Sequence, residues 1–356
     1  MANPASLASV QGELPSKLLV AGGAGFIGSA FVRLLLGEGS GFSITVLDKL
    51  TYAGNLANLA PVDSQLGYRF VQGDICDRQL VRQLAEETDC IVNFAAETHV
   101  DRSILDPEGF IRTDVLGTHQ LLEAAREAGH PRFLQVSTDE VYGDVEEPAR
   151  SLETDPIRPR SPYSASKAGG EMLCFAYHAT YGLPVVVTRG SNTYGPYQYP
   201  EKIVPLFITQ ALELLPLPVY GDGGAVRDYL YVDDHARGIA AVLAQGRAGE
   251  AYNLGRGDQP INGVKVAQTV LRLTGRDEAL VQHVLDRPGH DRRYALDCSK
   301  ARALGWEPRV DFEEGMAETV SWYQDRRDWW EPIKSGEFLD FYRRNYHPLA
   351  GSAAFP

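Results

Sequence analysis

The stretch Leu18–Phe31, LLVAGGAGFIGSAF, decides the fold. A short apolar run leads into Gly22, Gly25 and Gly28, and an apolar helical pattern begins among these glycines. Small residues at this spacing permit a tight turn and let the backbone approach a pyrophosphate, to which the helix N-terminus offers free N–H groups. The stretch therefore predicts a strand, a dinucleotide-binding turn and a helix in direct succession.

Outward from this turn, apolar runs alternate with helical patterns. The predicted strands are Lys17–Ala21, Ser43–Asp48, Arg69–Gln72, Cys90–Phe94, Phe133–Ser137 and Pro184–Thr188. The predicted helices are Phe26–Leu36, a segment around Tyr163–Tyr181 and Asp234–Ala244. Such alternation is typical of an α/β fold with a doubly wound, Rossmann-like parallel sheet.

The composition of the sequence changes after about residue 190, where glycine, proline and tyrosine become frequent, as in SNTYGPYQYPEK. We predict a Rossmann-like dinucleotide-binding domain over residues 17–190 and a smaller, mixed substrate-binding domain mainly over residues 191–356. A segment near residues 231–255 is predicted to return to the first domain. Residues 1–16 lack the basic-then-apolar order of a signal peptide and are predicted to form a flexible leader.

Composition narrows the class of protein. The 356 residues are 44% hydrophobic and 23% charged, as in an ordinary globular protein. No run approaches the roughly 20 apolar residues of a membrane span, and a net charge of −13 argues against a nucleic-acid partner. The four cysteines have no paired spacing, so we predict no disulfide and no metal site: Cys76, Cys90, Cys174 and Cys298. Free cysteines are typical of a reducing compartment, which predicts a cytoplasmic location.

Acidic residues after two strands indicate the kind of dinucleotide. Asp48 ends the second predicted strand, where a carboxylate binds the adenosine ribose hydroxyls and repels a 2′-phosphate. NAD is therefore favoured over NADP, although the neighbouring Lys49 would soften that repulsion. Asp74 and Ile75 follow the next strand and are predicted to flank the adenine.

Tyr163 and Lys167 form a Y-x-x-x-K pair on a predicted helix, and residues four apart share one helix face. The Lys167 ammonium is predicted to lie near the phenol and the cofactor ribose. A neighbouring cation lowers the pKa of a phenol from its usual value of about 10. The pair thus predicts a base that takes a proton from an alcohol while hydride leaves its carbon.

Thr138, Asp139 and Glu140 stand at the carboxyl end of a predicted strand, the sheet edge where parallel α/β folds bind ligands. Successive side chains on a strand point to opposite faces. If both carboxylates serve one site, the backbone must leave strand geometry here. A solvated acidic loop is the alternative interpretation.

Together these motifs resemble the extended short-chain dehydrogenase/reductase family and, within it, the nucleoside-diphosphate-sugar 4,6-dehydratases. The similarity runs from about residue 17 to about residue 348. The segments that carry it are DKLTYAGNLANL (48–59), AAETHVDRSI (95–104), STDEVYG (137–143), SPYSASKAG (161–169), YGPYQYPEK (194–202) and RDYLYVDDHARG (227–238). The aspartate of the Thr138-Asp139-Glu140 triplet is the most diagnostic feature, since related epimerases and decarboxylases usually lack it.

The resemblance implies conversion of a nucleoside-diphospho-glucose, above all dTDP-glucose, into its 4-keto-6-deoxy derivative with NAD held as a catalytic cofactor. Tyr163 would take the C4 hydroxyl proton while Thr138 hydrogen-bonds the same oxygen. Glu140 would remove the C5 hydrogen, and a protonated Asp139 would donate to the departing C6 hydroxyl before hydride returns to C6. Two carboxyl groups in opposite protonation states require different environments.

The resemblance also implies a wider set of contacts and a homodimer formed through the helix of Tyr163 and a helix near Val115–Ala128. The implied cofactor-binding residues are Gly22, Gly25, Phe26, Ile27, Gly28, Asp48, Lys49, Asp74, Ile75, Ala95, Ala96, Tyr163 and Lys167. The implied substrate-binding residues are Glu97, Asn192, Lys202, Arg227, Asn253, Arg287 and His290. The lysine and arginines among them suit a doubly charged diphosphate.

Two departures from the family pattern stand out. Asp114, in TDVLGT, replaces the usual asparagine and is expected to alter the fine structure of that sheet edge. In RGSNTYGP, Arg189, Gly190 and Thr193 replace the usual residues and are expected to alter the sugar pocket. A hexose with another C5 substituent, such as a glucuronate, is therefore an alternative substrate.

Other functions compete with dehydration. A UDP-sugar 4-epimerase or a UDP-glucuronate decarboxylase would use Tyr163, Lys167 and NAD but would not need Asp139. A non-catalytic NAD-binding sensor is disfavoured because the chain keeps both members of the Y-x-x-x-K pair.

Overall fold

A parallel sheet of seven strands forms the centre of the fold in a computed structural model that describes residue 7 and residues 10–37, 41–129, 131–258 and 260–346. Its strands are β1 Lys17–Ala21, β2 Ser43–Asp48, β3 Tyr68–Gln72, β4 Cys90–Asn93, β5 Arg132–Thr138, β6 Val185–Gly190 and β10 Glu250–Leu254. They lie in the order β10-β6-β5-β4-β1-β2-β3. The strand order reverses between β1 and β4, where open α/β sheets bind their ligands.

Some of the helices cover both faces of this sheet, and others belong to the second, mixed region. The helices are α1 Phe26–Gly37, α2 Arg78–Ala85, α3 Val100–Leu105, α4 Pro107–Phe110, α5 Thr118–Glu127, α6 Pro162–Tyr181, α7 Ile203–Leu212, α8 Val232–Gln245, α9 Gly263–Thr274, α10 Ser299–Arg302, α11 Phe312–Asp325, α12 Arg327–Trp330 and α13 Glu337–Asn345. In β1, Leu18 and Val20 pack with α1 and α8, whereas Leu19 and Ala21 pack with α2, α5 and α6. The predicted doubly wound fold is confirmed, since the side chains of β1 alternate between two buried faces.

The remaining strands form two small sheets on a second apolar cluster. These strands are β7 Asn192–Tyr194, β8 Leu217–Tyr220, β9 Val226–Tyr231, β11 Pro260–Asn262 and β12 Val281–Val284. The strand β9 pairs parallel with β7 and antiparallel with β11, while β12 pairs with β8. Helices α7, α9 and α11 pack on these sheets through residues such as Phe207, Val270 and Met316. This mixed region follows the sequence change near residue 190.

Residues 232–254 rejoin the parallel sheet. Helix α8 packs against α1, and β10 pairs with β6 as the seventh strand. Sequence periodicity indicated the helix and the return of the segment but did not indicate this strand.

The structure corrects part of the leader prediction. Residues 1–6 and 8–9 lie outside the described residues, but Leu7, Val10 and Leu14 pack against the core cluster of α1 and α8. The apolar side chains at these positions are partly buried against the fold, so the leader is held to the core at Val10 and Leu14. Among the residues that the structure describes, none of the helices has the length and apolar character needed to cross a membrane.

Candidate active site

The turn between β1 and α1 is shaped by glycines that cannot carry a side chain. Gly22 has a φ of 75°, and a Cβ there would lie 2.4 Å from the backbone nitrogen of Ala95. A Cβ on Gly28 would lie 2.4 Å from the carbonyl oxygen of Gly22. The backbone of the turn therefore stays close to the end of β4 and leaves the helix N-terminus open to an anion.

The Gly28→Ala variant is expected to lose about 1–3 kcal/mol of unfolding free energy, because its methyl group would collide with backbone rather than with a movable side chain. Urea unfolding without added cofactor measures this loss directly. Gly37→Ala, at the other end of α1, is the matched control, since its Cβ would meet no described atom within 4 Å. Equal unfolding midpoints for the two variants would contradict the close packing at Gly28.

A cavity of about 290 Å³, here called the cofactor cavity, lies along the carboxyl edge of the sheet beside this turn. Every residue for which cofactor binding was predicted lines it. These are Gly22, Gly25, Phe26, Ile27, Gly28, Asp48, Lys49, Asp74, Ile75, Ala95, Ala96, Tyr163 and Lys167. The turn, in which Gly22 and Gly28 leave no room for a Cβ, and the acidic strand ends beside it fit a dinucleotide.

The acidic strand ends are held by specific contacts. Asp48 accepts hydrogen bonds from the amides of Ala24 at 3.0 Å and Leu50 at 2.8 Å, and burial raises the pKa of its carboxyl group. The Nζ of Lys49 lies 2.8 Å from Asp74 Oδ2. Because Lys49 forms an ion pair with Asp74, the Lys49 ammonium lies at the end of β3 and does not neutralise Asp48. The edge at Asp48 therefore keeps the acidic character that suits ribose hydroxyls.

The backbone leaves strand geometry directly after Thr138, as expected if both carboxyl groups of the triplet serve one site. Strand β5 ends at Thr138, and a 3₁₀ helix follows at Asp139–Tyr142. The Thr138 side chain caps this helix by accepting a hydrogen bond from the amide of Glu140 at 3.3 Å. As a result Thr138, Asp139 and Glu140 all line the cofactor cavity, and the solvated-loop interpretation is wrong.

Helix α6 brings Tyr163 and Lys167 to the same cavity. Its first turn is fixed by a capping box between Ser161 and Ser164, with proline at the start of the helix. Tyr163 is half-buried, and Lys167 Nζ donates a hydrogen bond to the Val136 carbonyl oxygen at 2.8 Å. The phenol thus lies in one cavity with the two carboxyl groups.

The two carboxyl groups of the triplet have different surroundings. Burial and the neighbouring Glu140 carboxylate raise the pKa of Asp139 well above its usual value, and Asp139 Oδ2 has no hydrogen-bond partner among the described residues. Burial also raises the pKa of Glu140, but Arg287, Arg227 and Lys202 favour its ionised form. The arrangement favours a proton on Asp139 and a charge on Glu140.

The structure contradicts the predicted effect of Lys167 on Tyr163. Burial, followed by the carboxylates of Glu140 and Asp114, raises the pKa of the Tyr163 phenol well above its usual value, and a hydrogen bond with Thr138 opposes this only in part. Burial lowers the pKa of Lys167 itself. Helical spacing located the cation but could not show the carboxylates that other segments bring near the phenol.

A second cavity of about 160 Å³, here called the substrate cavity, adjoins the first. Glu140, Tyr163, Asn192 and Lys202 line both cavities. Of the other predicted substrate residues, Arg227, Arg287 and His290 line the substrate cavity and Glu97 lines the cofactor cavity. A ligand that spans both cavities would pass directly over the phenol and the Glu140 carboxylate.

Cations at the substrate cavity are held in place by backbone and carboxylate oxygens. Arg227 Nη2 donates to the Asp291 carbonyl oxygen at 2.9 Å, and its guanidinium lies 4.3 Å from the centre of the Tyr294 ring. Arg287 Nη1 lies 3.7 Å from Asp101 Oδ1. Their fixed guanidinium groups make a positive patch on an otherwise acidic protein, which suits a diphosphate.

Asn253 is a correction to the predicted substrate contacts. Its side chain is fully buried and lines neither cavity. Its Oδ1 accepts from the Tyr142 hydroxyl at 2.8 Å, and its Nδ2 donates to the carbonyl oxygens of Ser151 at 2.9 Å and Asp297 at 3.1 Å. With its hydrogen bonds used inside the fold, Asn253 joins β10 to neighbouring loops instead of binding a ligand.

The three residues of RGSNTYGP that depart from the family pattern do not all reach a cavity. Gly190 and Thr193 line the cofactor cavity, but Arg189 does not. Arg189 is buried, with its Nε 3.0 Å from Glu171 Oε1 and its Nη1 2.6 Å from the Tyr142 hydroxyl. The expectation that Arg189 alters the sugar pocket is wrong, because its charge is neutralised behind the sheet edge.

Several cavity residues escaped the sequence prediction. They include Gln198, Tyr199 and His235 in the cofactor cavity and His99, Tyr220 and Tyr346 in the substrate cavity. The Nδ1 of His235 lies 2.7 Å from Thr193 Oγ1. Both histidines stood in family-like segments, which was a usable signal, whereas Tyr346 reaches the cavity only because the C-terminal helix folds back.

Comparison with known proteins agrees with this geometry. The family model described as GDP-mannose 4,6 dehydratase matches residues 19–319. A dTDP-glucose 4,6-dehydratase of Streptomyces niveus is 53% identical over 324 residues, which cover 90% of this chain and 96% of that protein. The chain belongs to the nucleoside-diphosphate-sugar 4,6-dehydratase family.

Solved structures place this dehydratase-family chain within the extended short-chain dehydrogenase/reductase fold. DesIV, a dTDP-glucose 4,6-dehydratase of Streptomyces venezuelae solved with NAD bound, matches with a TM-score of 0.87 and 51% identity, covering 89% of this chain and 100% of that one. A UDP-glucose 4-epimerase of Thermus thermophilus in complex with NAD matches with a TM-score of 0.81 and 36% identity, covering 87% and 99%. Epimerases share the fold, so the residues of the site must distinguish the reactions.

Proposed function

We propose that the protein converts dTDP-glucose into its 4-keto-6-deoxy derivative with NAD as a bound cofactor. The observation that carries this proposal is the convergence of Tyr163, Asp139 and Glu140 on one cavity beside the dinucleotide turn. A phenol, a neutral acid and an ionised base are the groups that oxidation followed by loss of water needs. The similarity to dTDP-glucose 4,6-dehydratases supports the same substrate.

The chain's own residues would hold the cofactor from three sides. Glycines of the turn admit the pyrophosphate, Asp48 binds the adenosine ribose, and Lys167 lies on the helix that borders the cavity. When bound, NAD accepts a hydride at the start of the reaction and gives it back at the end.

Tyr163 would act first by taking the proton of the C4 hydroxyl group. Thr138 lines the cavity beside it and would hydrogen-bond the same oxygen. Since burial and the surrounding carboxylates raise the pKa of the phenol, the phenolate is a strong base that becomes more abundant as pH rises.

Water loss would then use the two carboxyl groups in opposite roles. Once C4 is a ketone, the C5 hydrogen is acidic, and the Glu140 carboxylate takes it as a proton. The C5–H electron pair would form a C5=C6 double bond as the C6–O bond breaks, and Asp139 would give its proton to the departing hydroxyl, which leaves as water. The hydride removed from C4 would then return to C6, and the proton held by Glu140 would return to C5. The proton taken by Tyr163 balances the one lost by Asp139, so exchange with solvent restores the site. The raised pKa of Asp139 favours a proton on that carboxyl group, while the cations near Glu140 oppose the effect of burial and favour its ionised form.

A panel of nucleoside-diphospho-hexoses tests the proposal. We expect dTDP-glucose to lose the mass of one water and to develop the alkaline absorbance of a 4-keto sugar, with no net change in NAD. Carbon dioxide released from UDP-glucuronate would indicate the decarboxylase, and a C4 epimer without mass change would indicate the epimerase. Either result, in place of water loss, would overturn dehydration.

We also propose a homodimer in the cytoplasm. Large apolar side chains are exposed on α3, on the π-helix Ile111–Gly117 and on α6: Ile104, Leu105, Ile111, Leu116 and Met172. Burial against a second copy of the same helices would remove this apolar surface from water. Sedimentation equilibrium tests the dimer, and a monomer at micromolar concentration would contradict it. The four unpaired cysteines fit a reducing compartment.

A further inference from the structure

Asp114 is a buried carboxylate next to the catalytic pair that the mechanism above does not use. It lies in the π-helix Ile111–Gly117, which packs against α6, and is 2% exposed. Its Oδ1 accepts a hydrogen bond from the Glu97 amide at 3.0 Å, and its Oδ2 accepts one from Ser166 Oγ at 2.6 Å. It thus joins the loop after β4 to the residue that precedes Lys167.

Backbone packing fixes this carboxylate beside α6. A Cβ on Gly170 would lie 2.5 Å from the Asp114 carbonyl oxygen, so the two helices approach to backbone contact. The widened π-helical turn occurs at this contact, and such turns are frequent at functional sites. The main chain of Asp114 is therefore fixed against α6, and two hydrogen bonds orient its carboxylate.

Charge balance around Lys167 also points to Asp114. Lys167 is 5% exposed, and the carboxylates that favour its ammonium form are Asp114 and Glu171. Glu171 already receives the Arg189 guanidinium, whose Nε lies 3.0 Å from Oε1. Asp114 is therefore the carboxylate whose charge is left to favour the ammonium form of the buried lysine.

The same charge acts in the opposite sense on the phenol. The Asp114 carboxylate raises the pKa of Tyr163, because a nearby negative charge disfavours the phenolate. A neutral side chain of the same shape would leave the geometry intact and remove both electrostatic effects.

We propose that Asp114 is a positioning residue whose ionised carboxylate, fixed beside α6, favours the ammonium form of Lys167 and opposes formation of the Tyr163 phenolate, so that it sets the pH range in which the phenol serves as a base. This inference rests on the proposed function, in which Tyr163 takes the C4 proton. The departure from the family's asparagine thus changes the pH response of the site and leaves its reaction the same.

Other ionisable groups on neighbouring elements act differently. Glu97, in the loop after β4, is half-buried and lines the cofactor cavity, and burial raises its pKa. Glu108 of α4 is exposed, and His119 of α5 faces the ring of Tyr177. Burial raises the pKa of Asp114 to about 6. Its charge is therefore gained and lost within the pH range in which the enzyme can be assayed.

Asp114→Asn tests the proposal in the protein purified with its cofactor. Below pH 6 the wild-type carboxyl is protonated, so both proteins should oxidise the substrate at the same single-turnover rate. Above pH 6 the wild-type carboxylate opposes the phenolate, and the variant should be faster by up to about tenfold. The phenolate absorbance of Tyr163, measured as the difference from Tyr163→Phe in each background, should appear on the order of one pH unit lower in the variant.

Ser166→Ala is the matched control for hydrogen bonding without loss of charge. It removes a donor that lowers the pKa of Asp114, so the pH at which its rate departs from that of Asp114→Asn should rise. If Asp114→Asn does not fold, Ser166→Ala is compared with the wild type instead, and the pH above which the Asp114 carboxylate slows oxidation should be higher in Ser166→Ala.

A purely structural role for Asp114 would give a different result. Rates that differ by one constant factor at every pH, with the Tyr163 absorbance titration unmoved, would overturn the proposal. If no sugar nucleotide reacts with the wild type, dehydration itself has failed, and the absorbance titration still decides whether Asp114 acts on the phenol.

Discussion

Asp139→Asn is expected to lower kcat for water loss by about 10²–10⁴-fold while C4 oxidation continues. The amide keeps the shape of the carboxyl group and the oxygen that lies 3.2 Å from Thr138 Oγ1, but it has no acidic proton for the departing hydroxyl. With enzyme in excess over dTDP-glucose, reduced NAD should therefore accumulate, whereas in the wild type it should be consumed. Stopped-flow absorbance of the reduced nicotinamide and mass spectrometry of the sugar measure the two outcomes together.

Loss of folding is not expected to explain the result. Burial raises the pKa of Asp139, so ionisation of this group destabilises the folded state as pH rises above the unfolded pKa. The neutral amide removes that cost, and the unfolding free energy at neutral pH should be unchanged or higher. A variant that still dehydrates at the wild-type rate would exclude Asp139 as the acid. Formation of a C4 epimer without loss of water, at a rate that the substitution leaves unchanged, would favour the epimerase alternative.

Tyr163→Phe is expected to abolish both signals. The ring stays in place, including its edge contact with Phe110 at 6.2 Å between centroids, and only the hydroxyl group is lost. Without the base, C4 oxidation should slow by about 10²–10⁴-fold, so neither reduced NAD nor water loss should be seen in a single turnover.

The cofactor content of the purified protein provides the control for Tyr163→Phe. The turn at Gly22, the carboxyl of Asp48 and the Lys167 side chain are unchanged, so NAD should be retained at the wild-type ratio. Reduction of the nicotinamide at an undiminished rate would show that another group takes the C4 proton. The two variants together separate a failure of oxidation from a failure of elimination.

Local pattern predicted much of the fold. The bounds predicted for β1 and β2 are those of the structure, and helix α6 begins one residue before the predicted start at Tyr163. Glycine spacing likewise located the turn that approaches β4. These features depend on neighbours in the chain, since strand and helix periods and tight turns are set by residues a few positions apart.

The sequence predicted which residues form the site better than it predicted the surroundings of each residue. Spacing and resemblance named the acidic triplet and the Y-x-x-x-K pair, and all five side chains line one cavity. They also named Asn253, which is used up in hydrogen bonds inside the fold, and they missed His235. Whether a polar residue faces a ligand or a neighbouring loop depends on segments far away in sequence.

By itself, the sequence determined a doubly wound α/β chain with a dinucleotide turn and a phenol–lysine pair, because these depend on periodicity and short spacing. Only the tertiary structure decided how the groups are charged. A 3₁₀ helix directs Asp139 and Glu140 toward one cavity. Burial, Glu140 and Asp114 together raise the pKa of the Tyr163 phenol, which Lys167 alone was expected to lower. Electrostatic energies depend on distance and burial between residues that the chain order keeps apart, and folding alone sets those distances.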